Sequence, residues 1–255
     1  MSIELVKQLR DKTGVSIMQC KKALEEAGGD LEKALVNLTK KSGEIAAKKG
    51  DRELGSGVIV VASKDGKTII SEIACETDFV AGNDEFKAMG SEVSEMILSE
   101  GLANDDEKVA AVLAEGTQKF GERIEVVRTD VKEGNAGSYV HSNSSVGAVV
   151  AFENEVTEEM AKDVAMHIAA QNPKYLLESD IDEAEREKAM EVLKEEVADK
   201  PAEMQEKILE GKMNAYFKER VLMSQAFIKN PDQTIENLIG DNSITSFTRF
   251  GVGEV

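Results

Sequence analysis

Four side chains in this sequence have the chemistry of nucleophiles or general bases: Cys20, Cys75, His141 and His167. A histidine can activate a cysteine when the two are close in space, so the sequence leaves open a dyad of Cys75 with His141 or His167. Cys75 ends an apolar, strand-like run, however, and a thiol buried among apolar groups is inert. His167 lies in an apolar stretch, which is more typical of a core histidine than of a catalyst. These residues favour a protein that is not an enzyme and has no catalytic residues.

Short motifs that bind phosphates or metals are also missing from the sequence. Neither Gly-x-x-x-x-Gly-Lys-Ser/Thr nor Gly-x-Gly-x-x-Gly occurs, and too few residues follow Gly251-Val252-Gly253 to form a helix after it. Two histidines are too few for a histidine-rich metal site, and neither lies in a His-Glu-x-x-His frame. We therefore expect no cofactor and no bound metal.

Charge and composition narrow the class of partner. The 255 residues include 49 acidic and 31 basic side chains, and the formal net charge of −18 repels the phosphate backbone of nucleic acids. No signal-like segment begins the chain, and no run of about 18 apolar residues occurs. Two widely separated cysteines suit reduced thiols in a cytosol. We expect a cytoplasmic protein that binds neither membranes nor nucleic acid directly, although a local basic patch would be compatible with this charge.

Secondary structure must position the candidate residues, and the sequence predicts three short helices in residues 1–41. Ser16 opens a capping-box pattern for the second helix, and Gly28-Gly29 can adopt the positive φ that ends it. Asp30 is a good N-cap for the third helix. A compact three-helix domain is predicted, followed in residues 42–56 by a linker that is either flexible or a continuation of the third helix.

A strand-turn-strand-helix unit comes next. Its strands, Val58–Ala62 and Thr68–Cys75, flank Asp65-Gly66, the pair most suited to a type I′ hairpin turn. Asn83 then caps a helix whose apolar residues recur at helical spacing and should cover one face of the hairpin.

The same unit occurs a second time, with strands Gly137–His141 and Val146–Phe152 around Asn143–Ser145 and a helix after them. Two units are too few for a solenoid, so we predict an α+β core of two subdomains, residues 57–135 and residues 136–255.

Two further segments complete the second subdomain. Residues 182–222 are densely charged with narrow apolar stripes, which suits two long antiparallel helices, and Pro201 fits the first turn of the second helix. The dense charge is more typical of a solvated face than of a binding surface. The C-terminal module at about 232–255 contains an alternating run, Ile244–Phe250, that predicts a last strand.

Comparison of the two copies draws attention to the loop Thr77-Asp78-Phe79-Val80. The strand-to-helix loop has eight residues in the first copy, Glu76–Asn83, and five in the second, Glu153–Thr157, whose only apolar residue is Val156. One explanation is that Phe79 folds back onto its own helix as a staple. The other is that Phe79 anchors a partner protein, since aromatic anchors often dominate interfaces.

The sequence resembles the bacterial translation elongation factor Ts family over nearly its whole length. Each motif is moderate evidence alone, and their common order makes the resemblance strong. The motifs are Leu9-Arg10-x-x-Thr13-Gly14-x-x-x-Met18-x-Cys20-Lys21-Lys22-Ala23-Leu24, Thr77-Asp78-Phe79-Val80-Ala81, Gly137-Ser138-Tyr139-x-His141, Met166-His167-x-Ala169-Ala170 and Phe250-x-Val252-Gly253-Glu254.

This resemblance implies a guanine nucleotide exchange factor for the GTPase elongation factor Tu in its GDP-bound form. It implies an N-terminal module similar to ubiquitin-associated domains, a core of two subdomains and a protruding helical hairpin. In the family the loop that matches Thr77–Val80 enters the GTPase, where Asp78 and Phe79 would disturb its magnesium site.

The resemblance also assigns contacts to Arg10, Ile17 and Met18 of the N-terminal module and, more weakly, to His141 near the phosphate-binding side of the partner. Ile17 departs from the family pattern, in which a second methionine can stand. The helical hairpin could serve self-association through the complex, a further partner or only the GTPase, and the sequence leaves these three roles open. The competing hypothesis is an adaptor without exchange activity that binds proteins through its three-helix module.

Overall fold

The computed structural model describes residues 2–198 and 201–254. It confirms the predicted α+β fold, with three helices at the N-terminus and antiparallel strand pairs and further helices after them. In chain order the elements are α1 Ile3–Thr13, α2 Ile17–Glu26, α3 Leu31–Lys48, β1 Ser56–Lys64, β2 Lys67–Cys75, α4 Asp78–Ala81, α5 Asp84–Glu100, α6 Glu107–Phe120, β3 Ile124–Glu133, β4 Asn135–Val140, β5 Val146–Phe152, α7 Glu158–Gln171, α8 Glu183–Val197, α9 Ala202–Lys218, β6 Ala226–Phe227, β7 Asn230–Thr234, α10 Ile235–Ile239 and β8 Ile244–Gly251.

The chain divides into two compact units. The first contains the chain up to Val131, the turn Val140–Gly147 and the C-terminal segment from Phe250. The second contains Lys132–Tyr139 and Ala148–Arg249. None of the helices in the described part of the chain combines the length and apolarity that crossing a membrane requires.

Helices α1 to α3 form a module with its own apolar core, and local signals set their ends. Gly14 ends α1 in the left-handed conformation at φ 67°, and Ser16 and Gln19 complete the predicted capping box of α2. The side chain of Asp30 accepts hydrogen bonds from the first turn of α3. Seven buried side chains form the core of the module: Leu9, Val15, Cys20, Ala23, Leu24, Ala34 and Leu38.

The predicted linker is helical in its first half, because α3 continues to Lys48. Of the two alternatives that the sequence left open, the continued helix is therefore correct as far as Lys48. Helix α3 packs against α6, and Lys49 Nζ donates a hydrogen bond to the Gly121 carbonyl just beyond α6. The N-terminal module is thus fastened to the rest of the first compact unit.

The first hairpin has the predicted turn. Strands β1 and β2 pair in register from Ser56 opposite Cys75 to Lys64 opposite Lys67, and Asp65 and Gly66 both have positive φ, 51° and 72°. Strand β3 completes a sheet of order β1-β2-β3, and α5 packs against β1 and β2. The core that the sheet and α5 form together with α6 consists of Val58, Val60, Ile69, Ile73, Cys75, Phe86, Val93, Ile97, Val109, Leu113, Ile124 and Val126.

The second unit contains the repeated arrangement. Strands β4, β5 and β8 form a sheet in that order, which confirms the predicted C-terminal strand, and α7 follows β5 with Thr157 as its N-cap. Helices α8 and α9 pack against each other as predicted. Pro201 is the N-cap of α9, one position before its first turn, where its missing N–H likewise leaves no intrahelical hydrogen bond unmade.

Candidate partner-binding site

The loop between β2 and α5 contains a short helix, α4, that presents Phe79 to solvent. Thr77 is its N-cap, and the Thr77 hydroxyl accepts a hydrogen bond from Val80 N at 3.4 Å. The Phe79 side chain is 88% exposed, which makes it the most exposed aromatic of the described residues. The alternative in which Phe79 folds back as a staple on its own helix is therefore wrong.

Val80 points the other way. Together with Ala81 it is partly buried and packs against the apolar core beneath the sheet. Val80 was predicted as a partner-binding residue with the other three, and the structure places it as the side chain that holds α4 on the core. Asp78 is exposed beside Phe79 and forms no ion pair with any described residue.

One carboxylate holds the base of this loop. Glu122 Oε2 accepts hydrogen bonds from the backbone N–H groups of Glu76 and Thr77 at 3.1 and 3.0 Å, and Glu122 Oε1 accepts from the Thr77 hydroxyl at 2.6 Å. Three donors on two consecutive residues therefore converge on a single side chain. Hydrogen bonds to an ionised acceptor are stronger than neutral ones, so the start of α4 is fixed in position.

A second carboxylate, Glu76, continues this network. Its oxygens accept from Arg52 Nη1 at 3.0 and 3.1 Å and from the Arg123 backbone N–H at 2.6 Å. Desolvation raises the pKa of Glu76, but the hydrogen bonds from Arg123 and Arg52 outweigh it and leave that pKa below its ordinary value. Glu76 is thus an anion at neutral pH, and the start of the loop is tied to Arg52 and Arg123 as well as to Glu122.

Sequence reasoning missed Glu122, Arg52 and Arg123. Glu122 lies 45 residues from Thr77 along the chain, in a segment between α6 and β3 with no motif of its own. The only sequence signal is that Glu122 directly follows Gly121, the glycine that ends α6. A carboxylate after such a glycine is too common in proteins to mark a functional residue.

The N-terminal candidates lie on the same compact unit as the loop. Ile17 and Met18 begin α2 and are 54% and 75% exposed, which is high for apolar side chains. Arg10 is exposed in the last turn of α1. These side chains form a second exposed surface with apolar and cationic character.

His141 lies directly after β4, in the turn that leads to β5, and it is exposed. Its Nδ1 accepts a hydrogen bond from Ser142 N at 2.9 Å. The ring is therefore oriented by its own turn and accessible from outside.

Three candidates for chemistry remain, and all are structural; Cys20 is buried in the core of the N-terminal module. Cys75 is fully buried, and desolvation, with the nearby Glu122 carboxylate as a second cause, raises the pKa of Cys75 to about 12. Since the thiolate is the nucleophile, a thiol that stays protonated at neutral pH is unsuited to catalysis. The Cys75 Sγ instead lies 3.2 Å from the Thr77 carbonyl oxygen.

His167 is a core histidine of the second unit, as the sequence favoured. Its Nδ1 accepts from Ile228 N at 3.2 Å, so Nε2 carries the proton and donates to Gln225 Oε1 at 2.9 Å. Burial lowers the pKa of His167, which keeps the ring neutral. Among residues 2–198 and 201–254 no cluster of three or more histidine, cysteine, aspartate or glutamate side chains could hold a metal ion.

An exposed aromatic side chain on a turn held by hydrogen bonds, with a protonated thiol behind it, is the kind of surface through which one protein binds another. Comparisons with known proteins point to one family. The family described as "Elongation factor TS" matches residues 76–254. Two relatives described as elongation factor Ts are similar along the whole chain.

The relative from Hydrogenovibrio crunogenus is 38% identical over 272 aligned positions, which cover all of this chain and 92% of the relative. The relative from Teredinibacter turnerae is 39% identical over 267 positions, which cover all of this chain and 91% of the relative. This chain belongs to the elongation factor Ts family, whose members are translation elongation factors of the nucleotide-exchange class.

Proposed function

We propose that this chain binds the GDP-bound GTPase elongation factor Tu and accelerates GDP release by inserting the Asp78–Phe79 turn near the magnesium site of that GTPase. The observation that carries the proposal is the 88% exposure of Phe79 on a turn whose base is fixed by Glu122. Family membership supplies the partner and the class of activity.

The proposed mechanism acts on the partner's metal ion without binding it. GTPases hold their nucleotide largely through Mg²⁺, which bridges the phosphates to a Ser/Thr hydroxyl and an Asp. An inserted Phe79 would displace the segments that hold this ion, and the Asp78 carboxylate would change the charge beside it. Exchange makes and breaks no covalent bond, which agrees with a chain whose Cys75 is inert and whose His167 is neutral and buried.

Rigidity of the turn is what makes insertion effective. Burying a phenylalanine is worth roughly 1.5–3 kcal/mol. A mobile loop would lose part of this gain in ordering its backbone, at about 1–2 kcal/mol per residue. Because Thr77 is already bonded to Glu122 and Val80 is already packed, little of that cost remains when Phe79 enters the partner.

Further contacts complete the proposed interface. Ile17 and Met18 offer apolar area and Arg10 offers a cation, so the N-terminal module would grip the same partner from a second side. His141 would approach the phosphate-binding side of the nucleotide site. We propose that the N-terminal contacts supply affinity and that Phe79 supplies the change at the nucleotide site.

Reciprocity limits this activity. If the chain lowers the affinity of the GTPase for GDP by some factor, bound GDP must lower the affinity of the GTPase for the chain by the same factor. With typical couplings of about 1–3 kcal/mol, fresh nucleotide therefore ejects the exchange factor and completes the cycle.

The test follows release of a fluorescent GDP from elongation factor Tu after addition of the chain. Wild type is expected to accelerate release, and Phe79→Ala is expected to lower the maximal rate by at least about tenfold, which corresponds to ~1.4 kcal/mol. The affinity for elongation factor Tu should fall by a smaller factor, since the N-terminal contacts remain. No acceleration by wild type would rule out the exchange function.

Two control variants isolate the role of Phe79. Val192 is 61% exposed on α8, and Val192→Ala removes exposed apolar area elsewhere, so its release rate should equal that of wild type. Cys75→Ser keeps a donor for the Thr77 carbonyl but removes the thiol, so it should also leave the rate unchanged. A normal rate for Phe79→Ala would exclude insertion of Phe79 as the cause of GDP release even if wild type is active.

The exposure of Ile17 and Met18 also favours a second candidate, the adaptor that binds through its three-helix module alone. This alternative predicts that Met18→Ala abolishes binding to elongation factor Tu while Phe79→Ala changes neither binding nor release. The exchange factor predicts separate losses, in affinity for Met18→Ala and in maximal rate for Phe79→Ala.

A further inference from the structure

The C-terminal segment Phe250–Glu254 folds back onto the first compact unit and has no role in the function proposed above. Two side chains bind its backbone there. Arg128 Nη2 donates to the Gly251 carbonyl at 3.0 Å, and Gly253 N donates to Glu72 Oε1 at 2.8 Å. The Arg128 guanidinium lies over the Phe250 ring, 4.4 Å from its centroid. The segment is therefore held at both its backbone and its aromatic side chain.

The clamp that holds this segment is an ion pair between the buried Glu72 carboxylate and the partly exposed Arg128 guanidinium. Glu72 is 2% exposed in the middle of β2, and its Oε2 accepts from Arg128 Nε of β3 at 2.7 Å. Both Glu72 oxygens thus have a donor, one from Arg128 and one from Gly253 N. A buried carboxylate needs such partners, because an unpaired one is strongly unfavourable.

The same segment contacts the turn that carries His141. Val252 N donates to the Ser145 carbonyl at 2.9 Å, and on the other side of the turn Ile59 N of β1 donates to the Ser144 carbonyl at 2.6 Å. The turn is closed by Ser144 N, which donates to the His141 carbonyl at 2.7 Å. The His141 turn is therefore held between β1 and the C-terminal segment.

Two residues that anchor the His141 turn and the C-terminal segment lie on β1 and β2, the hairpin that leads to Phe79. Ile59, which holds the turn, and Glu72, which holds the segment, are directly opposite partners in the β1–β2 register. Strand β2 ends at Cys75, and α4 with Phe79 begins three residues later. Pairing in β1–β2 thus connects the His141 turn to the Phe79 turn through rigid strands.

We propose that Phe250–Glu254, clamped by Glu72 and Arg128, is a positioning element that fixes the His141 turn relative to Phe79, so that both enter the partner's nucleotide site together. The inference rests on the proposed exchange function and assigns that function a C-terminal determinant. Glu72, Arg128 and Gly253 are positioning residues in this scheme, because they act through the His141 turn and do not touch the partner.

A double-mutant cycle in GDP release tests the proposal. In the full chain, His141→Ala is expected to lower the maximal release rate by about tenfold, and in a chain ending at Gly251 by less than about twofold, because the turn is already displaced. Phe79→Ala should lower the rate by the same factor in both chains. A segment that only stabilises the fold would not change the effect of His141→Ala selectively.

Two outcomes of this cycle overturn the proposal. One is an equal effect of His141→Ala in the full and shortened chains, which would show that the segment does not position the turn. The other is a normal rate for His141→Ala in the full chain, which would leave no contact to position. If the shortened chain does not fold, Gly253→Ala provides the second background, since Gly253 has φ 73° and a side chain there is strained.

Amide hydrogen exchange of the free chain separates this inference from the proposed function. Shortening the chain at Gly251 should speed exchange of the Ile59 amide by at least about tenfold, since its acceptor Ser144 loses support, while amides within the β1–β2 ladder keep their protection. Unchanged protection of Ile59 overturns the positioning role even if release is fast. Faster Ile59 exchange without any acceleration of GDP release by wild type would refute only the exchange function.

Discussion

Phe79 and Val80 show how neighbouring residues of one motif take different roles. Successive side chains on a helix point about 100° apart, so a short helix that buries Val80 turns Phe79 outward. Exposure of a phenylalanine is unfavourable in the free chain by roughly the 1.5–3 kcal/mol that burial would provide. This turn therefore gains free energy when a partner covers Phe79.

Thr77 determines how firmly that turn is held. Thr77→Val keeps the shape of the side chain but removes the hydroxyl that bonds Glu122 at 2.6 Å and caps α4. We expect the free energy of unfolding to fall by about 1–3 kcal/mol, because the Glu122 carboxylate loses a donor in a partly buried site. Urea unfolding measures the change, and GDP release from elongation factor Tu should slow as well.

Thr157 provides the matched control for Thr77. It is the N-cap threonine of α7 in the second copy, and its exposed hydroxyl accepts only from Met160 N at 3.2 Å. Thr157→Val should cost about 1 kcal/mol and leave GDP release unchanged. Equal loss of release in both variants would mean that the Glu122 network does not matter for the loop.

At the scale of elements, the N-terminal module and α6 are connected at Gly14. A Cβ on Gly14 would lie 2.6 Å from Lys119 Cε, and Lys119 is itself held by Glu85, 3.1 Å from its Nζ. Gly14 also has φ 67°, a conformation that suits glycine. The end of α1 therefore favours glycine for two reasons, first its backbone conformation and second, more weakly, the contact with the flexible Lys119 side chain.

Gly14→Ala and Gly28→Ala separate these two reasons. Gly28 has a similar φ of 64°, but nothing lies within 4 Å of the position that its Cβ would take. We expect Gly28→Ala to lower the free energy of unfolding by about 1–2 kcal/mol through backbone strain alone. Gly14→Ala should lower it by the same amount plus at most about 1 kcal/mol, since Lys119 must also move away from Glu85.

Chemical denaturation of the two variants measures the difference, and the affinity for elongation factor Tu shows whether the packing of the module matters for binding. Equal destabilisation by Gly14→Ala and Gly28→Ala would mean that Lys119 moves aside without cost.

For the whole molecule, the net charge of −18 limits the partners. A protein that binds nucleic acid gains affinity by releasing counterions from phosphates, and a strongly acidic surface opposes this. The proposed partner is accordingly a protein, contacted through apolar side chains such as Phe79 and Met18.

We therefore expect the chain to bind neither tRNA nor duplex DNA directly. At about 50 mM salt, the dissociation constant for either nucleic acid should exceed about 0.1 mM, the largest value typical of nonspecific binding. A gel-shift titration with a basic DNA-binding protein as positive control measures it. Salt-dependent binding of the chain would contradict the expectation and indicate a local basic patch.

The sequence by itself determined the elements whose signals are local. The capping box of Ser16 and Gln19 and the type I′ turn at Asp65-Gly66 each depend on residues at most three positions apart, so their geometry follows from the residues themselves. The apolar periodicities gave the helices and strands of both copies for the same reason. The unusual length of the loop around Phe79 was also visible without any structure.

Only the tertiary structure decided what these elements do to one another. Whether Phe79 or Val80 faces solvent depended on the core beneath α4, and the rigidity of the turn depended on Glu122, 45 residues away. The contact between Glu72 and Gly253 spans 181 residues. Such distant partners leave no periodic or local signal, because their meeting is set by how whole elements pack and not by spacing along the chain.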